Sequence, residues 1–152
     1  MAILNDADAT YLREQLATLL TKQVRIRLFT EPATGLYVPG RPTCETCADA
    51  EALMNEVADL SDRIYLEIVD VSAHPDLARE AGVALIPTMA VDDGADSGVR
   101  FVGLPDGYEF SSFVETLVAA GSEAGHGLSD ESLARLESLT TEVEIKTFVT
   151  PT

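Results

Sequence analysis

The 152-residue chain is 46% apolar and sets 26 acidic side chains against 10 basic ones, eight of them Arg, for a formal net charge of −16. That composition suits one domain of ordinary size with a core that needs neither metal nor disulfide staples, and the charge argues against nucleic acid and anionic membranes as partners, because no basic patch can displace counterions from phosphates. No run of about 18 apolar residues occurs, and Met1-Ala2-Ile3-Leu4-Asn5-Asp6 lacks the basic and apolar regions of a secretion signal, so the expected location is the cytoplasm.

Over residues 6–21, Tyr11, Leu12, Leu16, Leu19 and Leu20 fall at helical spacing behind an Asp-rich start that suits the positive end of a helix. Val24-Arg25-Ile26-Arg27-Leu28-Phe29 alternates with period two and reads as a strand. A loop containing Pro and Gly, residues 30–43, leads to a helix beginning at Thr43 or Cys44, whose Ala50, Leu53, Met54 and Val57 make a core-facing stripe with Glu45, Asp49 and Glu51 near its start. Residues 64–71 form a second strand, rich enough in Ile, Val, Leu and Tyr to be buried on both faces. A helix joining two such strands is a crossover, so the strands lie parallel and connect right-handedly. A short helix over residues 75–81 ends at Gly82. Pro87 leads into the strand Thr88-Met89-Ala90-Val91, which a loop opened by Asp92-Asp93-Gly94 joins to residues 99–102 as a hairpin. Residues 108–120 then place Phe110, Phe113, Val114, Leu117 and Val118 on one helical face.

The resulting order, α, then βαβ, a short α, ββ and α, predicts an α/β fold of the thioredoxin or glutaredoxin type with an added N-terminal helix. Its four-stranded mixed sheet should run second strand, first, third, fourth, with helices on both faces. Beyond it the pattern restarts. Ser129-Asp130-Glu131-Ser132-Leu133 opens a helix as Asp8-Ala9-Thr10-Tyr11-Leu12 did, each with a candidate N-cap. Val143-Glu144-Ile145-Lys146-Thr147-Phe148-Val149-Thr150-Pro151 repeats the first strand's Val, Ile, Phe and Pro, with Lys for Arg. The expected organisation is therefore one unit over residues 1–121, a Gly-rich linker over 122–128, and a helix and strand over 129–152 that begin a second, truncated unit.

Cys44 and Cys47, the only cysteines, stand in Cys44-Glu45-Thr46-Cys47. By itself that spacing is also half of a zinc knuckle, or two ordinary buried thiols. The order strand, cysteines, helix, strand and then Ile86-Pro87-Thr88 points instead to dithiol/disulfide chemistry. At a helix start the first sulfur meets free backbone N–H groups and the helix dipole, which makes Cys44 the candidate nucleophile and Cys47, a turn deeper, the resolving thiol. Glu45 puts a carboxylate near the sulfur and predicts a reducing dithiol, unless it points into water and is screened. Zinc shared between two chains is disfavoured because no second close Cys/His pair completes its ligands. Neither His74 nor His126 sits where the dithiol chemistry needs it. Leu36 and Tyr37 in the loop over 30–43 fit a lid over Cys44 or a plain surface insertion.

Over nearly its whole length the chain resembles the N-terminal half of the protein disulfide oxidoreductases of the glutaredoxin-like family, in which two thioredoxin-fold units are fused. The segments that carry the likeness are Cys44-Glu45-Thr46-Cys47, Ile86-Pro87-Thr88 and Phe101-Val102-Gly103-Leu104-Pro105-Asp106-Gly107-Tyr108-Glu109-Phe110. In that family the second unit's strand runs into a Phe-Val-Thr-Pro-Thr segment like residues 148–152, followed at once by a Cys-Pro-Tyr-Cys site, which this sequence does not contain. The resemblance implies thiol–disulfide exchange with protein substrates, no cofactor beyond a redox-active Cys44–Cys47 disulfide, and electrons relayed from a flavin-dependent reductase. It implies a cis Ile86–Pro87 bond that leaves the Ile86 backbone to pair with substrate, and space at Gly103 beside the sulfurs. The alternative is a weakly active docking half of a two-unit oxidoreductase. A strand over 143–149 without its unit is expected to be disordered, to dock on the first unit, or to pair between chains.

Overall fold

A computed structural model of the protein describes residues 3–32, 44–123 and 127–149. Its elements are α1 (Asp6–Leu19), β1 (Val24–Thr30), α2 (Cys47–Ala58), β2 (Ile64–Asp70), α3 (Pro75–Glu80), β3 (Thr88–Asp92), β4 (Arg100–Val102), α4 (Tyr108–Gly121) and α5 (Asp130–Glu137). The sheet order is β2-β1-β3-β4, with β1 and β2 parallel and the other pairs antiparallel, as the element order predicted.

Strand alternation divides the core in two. Val24, Ile26 and Leu28 of β1 join Met89 and Val91 of β3 beneath α1, α2 and α4, where Leu16, Leu53, Met54, Val57, Phe113 and Leu117 close the larger cluster. Phe29 faces the other way, with Val69 and Ala90 under Ala78 of α3. Farther along that second face α3 gives no cover, and the buried Asp92 carboxylate takes Arg25 at 3.0 Å and Arg27 at 3.6 Å in its place. Asn5 caps α1 by accepting the Asp8 N–H at 2.9 Å. The Glu56 carboxylate of α2 accepts the Ile3 and Leu4 N–H groups, each at 2.8 Å, and these bonds hold its pKa below the ordinary value.

Three expectations are corrected. β2 is not buried on both faces: Tyr65 and Ile68 are exposed, because β2 is an edge strand that the helices cover only in part. The stripe of α1 is narrower than predicted, with Tyr11 and Leu19 outside it. The second helix starts at Cys47, not at Thr43 or Cys44, and Thr46 is its N-cap residue. The segment over 143–149, expected without its unit to be disordered, to dock on the first unit or to pair between chains, enters no strand ladder among the described residues. Ile145, Thr147 and Val149 instead line a 440 Å³ cleft with Arg100, Phe101 and Tyr108.

Candidate redox site

Two connections bring the cysteines to the C-terminal end of β1. The Glu31 carboxylate, one residue past the strand, accepts the Cys44 N–H at 3.0 Å and so ties Cys44 to the sheet. Cys44 and Cys47 form a disulfide with S–S 2.03 Å and Cα–Cα 5.5 Å. Their surroundings differ: Cys47 opens α2 and is 3% exposed, packed as a core residue, whereas Cys44 precedes the helix and is partly exposed. The first turn of α2 is left open. Thr46 makes no side-chain cap bond, the Ala50 N–H is already used by the Thr46 carbonyl at 2.9 Å, and among the described residues the amides of Cys47, Ala48 and Asp49 have no acceptor. Unfilled donors and the dipole of a helix start favour an anion there.

β3 delivers Ile86 and Pro87 to the same end of the sheet. The antiparallel register ends with Phe29 of β1 opposite Thr88, so Ile86 and Pro87, just before β3, lie at the end of the sheet where Glu31 holds Cys44. The Ile86–Pro87 bond is cis. Pro87 is buried, and its carbonyl accepts the Gly103 N–H at 2.8 Å. Ile86 is partly exposed and makes no backbone hydrogen bond among the described residues. Thr88 is buried and donates its hydroxyl to the Leu85 carbonyl at 2.7 Å, holding the turn in front of the strand.

Other sequence-singled residues have different roles. Gly103 does not make space beside the sulfurs: a Cβ there would meet nothing within 4 Å, and its φ of +100° is what calls for glycine. Glu45 is exposed, so the carboxylate in contact with Cys44 is that of Glu31, which sequence reasoning missed. The signal for it was thin, a single acidic residue 13 positions before Cys44 across the loop. Leu36, Tyr37 and His126 lie outside the described residues, and His74 is exposed at the start of α3 without a capping bond. Among the described residues no three His, Cys, Asp or Glu side chains gather into a metal site. The 440 Å³ cleft includes neither cysteine and neither Ile86 nor Pro87.

A family model described as "Thioredoxin domain" matches residues 37–115. The chain is 30% identical over 84 residues to a thioredoxin of Methanocaldococcus jannaschii, spanning 55% of this chain and 82% of that protein. It is similar to a protein disulfide oxidoreductase from Aeropyrum pernix, with TM-score 0.73 and 26% identity over 91% of this chain and 57% of that one. It is also similar to the NTD_N/C domain of alkylhydroperoxide reductase AhpF from Enterococcus faecalis, with TM-score 0.70 and 25% identity over 84% of this chain and 57% of that one. The chain thus spans under two thirds of either solved protein.

Proposed function

The chain belongs to the thioredoxin-domain family, and from that premise we propose that it is a thiol–disulfide oxidoreductase that exchanges disulfides with protein substrates through Cys44 and Cys47. The observation that carries this reading is the asymmetry of the pair, Cys44 partly exposed ahead of the helix and Cys47 buried at the head of α2.

In the reduced protein the open amides of α2 favour the Cys44 thiolate. Its sulfur attacks one sulfur of a substrate disulfide, forming a mixed disulfide and releasing the other substrate sulfur as thiolate. Cys47, deprotonated, then attacks the Cys44 sulfur; the second substrate thiolate leaves and the Cys44–Cys47 disulfide remains. Two electrons from a donor restore the dithiol. Run backwards, the same steps oxidise a substrate dithiol. Burial of Cys47 suits a resolving thiol, because an outside disulfide cannot reach it before the intramolecular step. Ile86, whose backbone groups make no hydrogen bond among the described residues and which has the buried Pro87 behind it, is the contact we assign to an extended substrate.

The likeness to a domain of a reductase supports a relay, and a flavin-dependent reductase is the donor we assign. The same reading makes residues 129–152 the opening of a second unit joined through 122–128, supported by 91% coverage on a protein disulfide oxidoreductase, and leaves 143–149 available to pair with another chain. It places the protein in the cytoplasm; no helix among the described residues is long and apolar enough to cross a membrane.

Insulin reduction driven by dithiothreitol tests the proposal. Wild-type protein should accelerate it, Cys44→Ser should fall to the uncatalysed rate, and Cys47→Ser should accumulate the mixed disulfide. Turnover that survives Cys44→Ser overturns the reading. A wild-type protein with no turnover that still binds its partner shows the docking half instead.

A further inference from the structure

We propose that Glu31 sets the redox bias of the Cys44–Cys47 couple, holding the Cys44 thiolate in check and thereby making the dithiol a stronger reductant. This deepens the oxidoreductase reading and rests on it.

The Glu31 carboxylate is bonded to the Cys44 amide at 3.0 Å. Three bonds separate that nitrogen from the Cys44 sulfur, a span of about 4 Å at most, so the carboxylate oxygen lies within about 7 Å of Sγ whatever the side-chain rotamer. The bond acts twice in one direction. It occupies the Cys44 N–H, a donor a thiolate could otherwise share, and it fixes a negative charge near the atom that becomes negative on reduction. Glu31 is also partly buried, so solvent screens it less than it screens the exposed Glu45. Glu31 is not otherwise without partners. A cation paired with it would reduce the size of the effect without reversing it, because neutralising Glu31 removes one negative charge in any surroundings. The open amides of α2 pull the other way, so the potential is a balance between a helix start and one carboxylate. An anion beside Cys44 destabilises the reduced, thiolate-bearing form and shifts the couple toward disulfide, which is what a reductant requires.

The test equilibrates the full chain with glutathione at pH 7, where protein disulfide and two glutathione thiols exchange for protein dithiol and glutathione disulfide. Glu31→Gln keeps an acceptor for the Cys44 N–H and removes the charge; Glu31→Ala removes both. Each should move the equilibrium toward the dithiol by about threefold to tenfold, about 15 to 30 mV for this two-electron couple, and speed iodoacetamide alkylation of Cys44 at the same pH. Glu45→Gln should move both readouts much less. If Glu31→Gln matches wild type and only Glu31→Ala shifts, or if neither shifts, the inference is overturned while the oxidoreductase reading stands. A wild-type protein with no reversible couple overturns both.

Discussion

Thr30 and Thr88 are both buried threonines at the site's end of the sheet, and their hydroxyls fare differently. Thr88 donates to the Leu85 carbonyl at 2.7 Å, whereas the Thr30 hydroxyl has no partner among the described residues. A buried hydroxyl that has given up water without a replacement costs about 1 to 3 kcal/mol, and a satisfied one contributes about 1. Valine has nearly the same shape. Thr30→Val is therefore expected to raise the unfolding free energy in urea by about 1 kcal/mol and Thr88→Val to lower it by a similar amount. Equal losses from both would show that Thr30 is bonded after all. Sequence does not separate the two residues, because each is a β-branched residue in a strand and only the neighbouring carbonyls distinguish them. Glu31 and Glu45 make the same point with charge: the nearer carboxylate in sequence is in water, and the farther one is on the Cys44 amide.

One guanidinium straps the loop between β3 and β4 to the end of α3. Arg100 donates to both Asp96 oxygens at 2.9 and 2.7 Å and to the Ala81 carbonyl at 3.1 Å, so it joins the hairpin to the end of α3. The Arg100 hydrogen bond, helped by the Gly98 N–H, lowers the Asp96 pKa from 3.8 to about 2. A carboxyl whose folded pKa is depressed leaves the unfolded chain holding more protons, so its stabilisation is present above about pH 4 and is lost as pH falls through about 2. Because Asp96 is half exposed, the gain should stay small, about 0.5 to 1 kcal/mol. The melting temperature of Asp96→Asn should accordingly trail wild type at pH 6 and converge on it near pH 2; a gap that persists at the acid end would remove the ion pair as its cause. This strap was not legible beforehand. A hairpin with a longish loop was expected there, but which cation would close it depends on where α3 ends in space.

Across the whole molecule, the buried packing among the described residues lies in the segment that ends with α4. Phe113 and Leu117 of α4 are fully buried, and Phe113 meets Phe101 edge-on at 5.2 Å, whereas α5 buries no residue and residues 142–149 join no ladder. Ending the chain after Ser122 should thus move the thermal midpoint by no more than about 3 °C, a fraction of a kcal/mol for a domain of this size, and leave insulin reduction intact. A large fall in midpoint, or a lost cooperative transition, would mean that the segment lining the cleft beside β4 contributes to the fold.

The order of elements and the strand order of the sheet were legible in the sequence, because hydrophobic periodicity and crossover handedness are local properties of a chain, whereas the Cys44-x-x-Cys47 spacing left a disulfide, a half metal site and two buried thiols open until the family resemblance was weighed. Where α2 begins and which carboxylate holds Cys44 were decided only by the tertiary structure. The second depends on what a distant segment brings alongside: the end of β1 carries Glu31 to the Cys44 amide, 13 residues away in sequence.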